Sequence, residues 1–158
     1  MSADFHPTLT IRPARDEAEV QQAQRLRVRV FCDEQGVSRD LELDGLDDES
    51  VQLVALDETG VVATCRLRLI GDAPAQETGA APECKLERMV VESRLRRLGV
   101  GGKLLAAAED WGRDEGAVAM VLNSQIRAEP FYASHGYAAE GEAFMEAGIE
   151  HVRMRKAL

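Results

Sequence analysis

The segment Arg96-Arg97-Leu98-Gly99-Val100-Gly101-Gly102-Lys103 places three closely spaced glycines between an apolar run, Leu86 to Val91, and an amphipathic helix. Leu104, Leu105, Ala108 and Trp111 share one face of that helix at 3.6-residue spacing. A helix start leaves backbone N–H groups without intrahelical partners and carries the positive end of the macrodipole. An anion placed there gains hydrogen bonds and favourable electrostatics. Gly99, Gly101 and Gly102 have no Cβ to hold a phosphate away from the backbone, and Arg96, Arg97 and Lys103 add cations around the same spot.

Counting residues excludes two phosphate motifs. A P-loop needs a glycine five positions before the Gly-Lys pair and a Ser or Thr after it, where this chain has Arg97 and Leu104. The dinucleotide fingerprint, counted from Gly99, needs a glycine or alanine where Leu104 stands. The pattern Arg/Gln-x-x-Gly-x-Gly/Ala is met by Arg96, Gly99 and Gly101. It resembles the pyrophosphate-binding loop of the GNAT superfamily of acyl-CoA-dependent N-acetyltransferases.

At 158 residues the chain is the length of one ordinary domain, and a single domain over 1–158 is expected. Thr8 to Ile11 reads as a first strand ended by Pro13. Asp16 and Glu19 make a capping-box-like start to a helix whose apolar stripe, Val20, Ala23, Leu26 and Val30, ends near Phe31 or Cys32. Residues 33–50 are acidic and aperiodic, a long connection holding a turn of helix, and long loops in compact domains are often functional.

Gln52 to Asp57 and Val61 to Ile70, separated by Glu58-Thr59-Gly60, have the signature of a hairpin. In the second run Cys65, Leu67 and Leu69 alternate with Thr64, Arg66 and Arg68. Gly71 to Glu83 reads as a surface loop and Leu86 to Val91 as a strand. The glycine-started helix runs to about Glu115 with Gly116 as its cap, and Val118 to Leu122 is the next strand. A short helix, Ala128 to Ser134, admits Pro130 only in its first turn and is capped by Gly136. Tyr137 to Ala139 and Ile149 to Arg155 close the order β-α-β-β-β-α-β-α-β-β.

That order and the place of the glycine loop are similar to the GNAT fold. Four further blocks carry the resemblance. Phe131-Tyr132 followed by His135-Gly136-Tyr137 looks like the superfamily's Phe-Tyr-x-x-x-Gly-Phe ending, with Tyr137 in place of the usual Phe. Gly141-Glu142-x-Phe144-x-Glu146-Ala147-Gly148-Ile149-x-His151-x-x-Met154 resembles the ElaA/YjcF-like subgroup. So do Phe31-x-x-Glu34-Gln35-Gly36-Val37 and Glu42-x-Asp44-Gly45-Leu46-Asp47. The resemblance implies an α/β (α+β) fold, with a mixed central sheet of about six to seven strands flanked by helices.

It also implies a reaction: transfer of an acetyl group from acetyl-CoA, the cosubstrate, to a primary amine of a small acceptor by direct attack. An alkylamine has a pKa of about 10 and is mostly protonated at neutral pH, so a carboxylate must take its proton, directly or through water. Glu87, on the strand leading into the glycine loop, is the first candidate base; the alternative is an ion pair with Arg66, Arg68 or Arg88. Glu34 is the second candidate and lies in the acidic loop, where Asp44 would contact a cationic substrate; both also read as solvated charges.

The resemblance places the cofactor contacts on Met89, Val90 and Val91, whose backbone pairs with the pantetheine arm and supplies an N–H to the thioester oxygen. It adds Arg96, Arg97, Leu98, Gly99, Val100, Gly101, Gly102 and Lys103 at the pyrophosphate. Tyr132 is the expected acid for the departing thiolate, since phenol and thiol pKa values are close, and reads otherwise as a core aromatic. Asn123 and Gln125 resemble polar contacts to pantetheine or substrate and read equally as helix caps. His151 would line the acceptor site, and His135 is a residue at a helix C-terminus.

Composition narrows the partners. A net charge of −9 argues against nucleic acid, whose backbone needs a basic surface. No run approaches the ~20 apolar residues of a membrane span, and residues 1–7 lack the basic start and hydrophobic core of a secretion signal, so a cytoplasmic protein is expected. Cys32, Cys65 and Cys84 form no Cys-x-x-Cys pair and read as free thiols, and no His-x-x-x-His spacing points to a metal. A non-catalytic acyl-CoA-sensing module would need the same glycine loop. Acyl transfer forming a signalling lactone borrows the Phe-x-x-Glu feature but is opposed by the C-terminal Gly-Glu-x-Phe-x-Glu block. The acceptor's identity and pairing into a homodimer stay open.

Overall fold

A computed structural model describes residues 7–71 and 81–158. Most of the expected loop between Gly71 and Glu83 therefore lies outside the described residues. Seven strands form one sheet in the order β1-β2-β3-β4-β5-β7-β6. The strands are β1 (Thr10–Pro13), β2 (Val51–Asp57), β3 (Gly60–Ile70), β4 (Glu83–Val91), β5 (Ala119–Gln125), β6 (Ala138–Glu146) and β7 (Ile149–Ala157). The helices among the described residues are α1 (Glu17–Arg27), α2 (Arg39–Glu42), α3 (Val100–Asp114) and α4 (Glu129–Ser134). The sheet is mixed: β4 and β5 are parallel, whereas β1 with β2, β5 with β7 and β6 with β7 are antiparallel.

Two compact units divide the chain, one of residues up to Arg66 with Arg88–Ala108, the other of Leu67–Glu87 with Glu109–Leu158. In the first, α1 starts as its sequence dictates. Asp16 Oδ1 accepts the Glu19 N–H at 2.9 Å, and the Glu19 carboxylate accepts from the Arg15 N–H and the Arg12 guanidinium. Ala23 and Leu26 on its inner face, with Val30 just beyond its end, pack with Val54, Val61 and Val90. Truncating a side chain as buried as Leu26 would cost about 2–5 kcal/mol.

The helix does not stop near Cys32 as expected. It continues as a π-helical stretch, Val28–Glu34, closed by Gln35 N–H to Val30 O at 3.1 Å. The alternation in β3 also misleads, because the strand is buried on both faces from Val61 to Leu67. Thr64 satisfies its hydroxyl on Leu53 O at 2.7 Å, and Arg66 is fully buried.

In the second unit Gly116, with φ +86°, ends α3 as expected, and the Ala117 N–H returns to Gly112 O at 2.8 Å. Here β6 runs well past the expected Ala139, to Glu146. A register shift between Glu140 and Phe144, with Gly141 at φ +72°, bends an exposed edge strand whose polar residues hide its periodicity. Ala147 and Gly148, both at positive φ, close the β6–β7 hairpin in two residues.

Candidate active site

The glycine segment belongs to the first unit. Leu95 and Val100 are buried at its two ends, so the residues between them are presented outward. Arg97 at φ +65° and Gly99 at φ +80° turn the chain, and α3 begins at Val100. The Lys103 N–H is taken by Gly99 O at 3.2 Å. Ahead of it the N–H groups of Val100, Gly101 and Gly102 have no helical carbonyl to donate to.

Arg97 and Lys103 are exposed and meet no carboxylate within 4 Å among the described residues, whereas Arg96 is committed. Arg96 Nε donates to Val91 O at 3.0 Å, and its two Nη groups grip the Glu34 carboxylate at 2.8 and 3.0 Å. N–H groups without a helical acceptor, and two cations that meet no carboxylate among the described residues, suit a pyrophosphate at this helix start. Just upstream, Arg88 sits at φ +56° inside β4 and re-aims Met89, Val90 and Val91 after the pairing of Cys84–Leu86 with β5.

Asp44 is held differently from the expected substrate contact. Both its oxygens receive the Arg66 guanidinium, at 2.8 and 2.7 Å, and the Leu46 N–H adds a third bond. Arg66 thereby keeps the Asp44 carboxyl well below the usual carboxylate range. The pair belongs to a buried network that the sequence reading missed. Arg27, fully buried, donates to Glu42 and to Asp47 at 2.6 Å each, and Arg88 reaches Asp44 at 3.3 Å. Burial pushes the Asp47 carboxyl up, but Arg27 and Arg66 outweigh it and the net shift is downward. The available signal was Arg27 lying beside Leu26 and Val30, on the buried side of α1.

The second unit holds Glu87, Asn123, Gln125, Tyr132 and His151. Glu87 accepts from Arg68, one of the arginines expected as its partner, at 2.8 and 3.1 Å, with Lys85 at 3.3 Å. Tyr132, on α4, is buried edge-on between Phe131 and Tyr137, with ring centroids at 5.0 and 5.8 Å. Tyr137 itself donates to Glu109 at 2.9 Å, and burial raises its phenol far above the ordinary value.

Asn123 and Gln125 lie two apart on β5 and so share a sheet face. Gln125 is the register partner of His151, which brings these two expected acceptor residues side by side. Neither caps α4, whose N-cap is Ala128 without a side-chain bond; Gln125 accepts from Arg127 instead, and Asn123 reaches Glu146 at 3.5 Å. His151 bonds Ile149 O through Nδ1 at 2.7 Å, lies 3.4 Å from Glu146 through Nε2, and stacks on Phe144. His135 caps the C-terminal end of α4 and bonds Phe131 O at 2.8 Å, as its position implied.

The description "Acetyltransferase (GNAT) domain" matches residues 19–158, nearly the whole chain. The chain belongs to the GNAT acetyltransferase family. A GNAT relative in Bacillus subtilis (strain 168), the uncharacterized N-acetyltransferase YjcF, is 37% identical over 144 residues, 90% of this chain and 96% of its own. A candidate N-acetyltransferase from Lactobacillus plantarum has a crystal structure with TM-score 0.82 and 28% identity, covering 96% of this chain and 99% of that one. Escherichia coli ElaA, at 20% identity and TM-score 0.76, covers 94% of this chain and 99% of its own and shares the fold. Acyl transfer is therefore the chemistry of this family member. Among the described residues no helix is long and apolar enough to cross a membrane, and no group of three His, Cys, Asp or Glu could hold a metal ion. All three cysteines are free, Cys65 and Cys84 buried and Cys32 half-buried.

Proposed function

We propose that this GNAT member, acting as one domain over 1–158, moves an acetyl group from acetyl-CoA to a primary amine of a small acceptor. The observation that carries the choice of donor is the start of α3. The N–H groups of Val100, Gly101 and Gly102 and the unengaged Arg97 and Lys103 suit the doubly charged pyrophosphate of coenzyme A. Met89, Val90 and Val91 would hold the pantetheine arm, one of their N–H groups meeting the charge that grows on the thioester oxygen. When bound, acetyl-CoA supplies the activated acyl group.

This chain's residues do the rest. Glu87, directly or through water, takes the ammonium proton so that the amine nitrogen can attack, and Arg68 fixes the direction in which its oxygens point. Tyr132 gives its phenolic proton to the departing thiolate. Glu34 aligns Arg96 through its bidentate grip and stands second to Glu87 as the base. Gln125 and His151, adjacent across β5 and β7, would contact the acceptor, and Asn123, on the same strand face as Gln125, is a candidate contact to pantetheine. Asp44 contributes by fixing the loop that carries it.

The test follows release of free thiol from acetyl-CoA across a panel of polyamines, amino sugars and amino acid amides. Amine-dependent release above hydrolysis is expected with at least one class. Tight acetyl-CoA binding without amine-dependent release from any class would replace the enzyme with a sensing module.

A further inference from the structure

The outer face of α1 borders a groove that the acyl-transfer reading does not use. An open groove of about 800 Å³ lies there, inside the first unit, within the range of small-molecule sites. Val28, Leu43 and Val61 line its apolar part. Around them stand Arg25 and Arg29, four residues apart and so separated by roughly 6 Å along the helix axis, and Arg39 at the start of α2.

Arginine in this protein is otherwise mostly committed: Arg12, Arg27, Arg66, Arg68 and Arg96 each grip a carboxylate. Arg25, Arg29 and Arg39 are exposed and meet no carboxylate within 4 Å among the described residues. The groove's lining includes one carboxylate, Asp33, against these three guanidinium groups. In a chain of net charge −9, three arginines that meet no carboxylate among the described residues border one groove. Each guanidinium offers a planar fork that matches phosphate or carboxylate oxygens.

Gln21 adds an amide to the same wall. Gln22 and Gln24 are already engaged, with the Val61 N–H and with Asp47, which fixes that side of the groove.

We propose that this groove binds a small polyanion carrying two or more phosphate or carboxylate groups, separately from the glycine segment at the start of α3. The inference stands apart from the acyl-transfer reading, since none of these residues belongs to the proposed machinery.

Isothermal titration of the full chain with inorganic tripolyphosphate and, in a second arm, citrate tests it. The expected result is saturable binding of at least one probe. Binding should weaken at least tenfold in the triple variant R25Q/R29Q/R39Q and stay within twofold in R97Q/K103Q. The stronger probe identifies the anionic group. Thermal melting of the triple variant at the wild-type temperature shows that its fold is intact, as expected for exposed side chains. Absence of saturable binding by either probe, binding unchanged in the triple variant, or binding lost only in R97Q/K103Q would overturn the proposal.

Discussion

Glu34 and Arg96, 62 positions apart in the chain, meet in a bidentate ion pair at 2.8 and 3.0 Å, and Arg96 is simultaneously tied to Val91 O. The pair joins the end of the π-helical stretch to the first cation of the glycine segment. A group that only aligns Arg96 should act on donor binding rather than on turnover. Glu34→Gln is expected to raise KM for acetyl-CoA about two- to fivefold with kcat within twofold, since partly exposed pairs are worth about 1 kcal/mol or less. Steady-state kinetics with varied acetyl-CoA checks this. A hundredfold fall in kcat would instead give Glu34 the role of base.

Tyr132→Phe keeps the ring that packs against Phe131 and Tyr137 and removes only the hydroxyl. With the fold retained by circular dichroism, kcat should fall about a hundredfold, the usual scale of a lost general acid. Unchanged, hydrolysis-corrected turnover would reduce Tyr132 to a core aromatic.

Gly99→Ala isolates the backbone contribution. A Cβ built there meets nothing within 4 Å, so the penalty comes from φ +80° alone, about 1–2 kcal/mol. Differential scanning calorimetry should show a fall of several degrees. Titration should show weaker acetyl-CoA binding, because the turn that presents the N–H groups of α3 is strained.

Much of the fold was legible because local chemistry and tertiary structure agree. The Asp16 cap, the hairpin around Glu58-Thr59-Gly60, the glycine start of α3 and the Gly116 stop each announce themselves through one residue's conformational preference. The extension from Val28 to Glu34 did not, since π and α turns use the same residues and differ only in which carbonyl the N–H finds. Arg27 and Arg66 were hidden for another reason. A charged residue reads as surface unless its partner is known, and the partners Glu42, Asp44 and Asp47 lie between α1 and β2, in a connection whose course only tertiary structure defines. Glu87 and Asp44 were found as carboxylates of interest, but their arginines decided what each could do.

Acid should destabilise the protein through its held carboxylates. Glu19 is pulled down to about 2 by the Arg12 guanidinium and the Arg15 N–H, and Asp57 to about 2 by the Thr59 hydroxyl and Arg94. Asp44, gripped by Arg66, also lies below its ordinary range. Each of these groups has a folded pKa beneath its unfolded value of about 4, so the unfolded chain binds more protons in that window. Their contribution is present above about pH 4.5 and is lost as the pH falls toward 2. Melting temperatures measured from pH 7 to 2.5 should drop mainly below 4.5, and Glu19→Gln should shrink that drop. A flat profile would show that the ion pairs contribute nothing.

The central claim is transfer of the acetyl group itself. Acetyl-CoA carrying a 13C-labelled acetyl group, incubated with the protein and the amine panel, should yield a labelled amide detected by mass spectrometry, with free coenzyme A in equal amount. Its formation should fall about a hundredfold with Tyr132→Phe. Labelled acetate as the sole product, or an amide formed at the same rate without protein, would contradict the account.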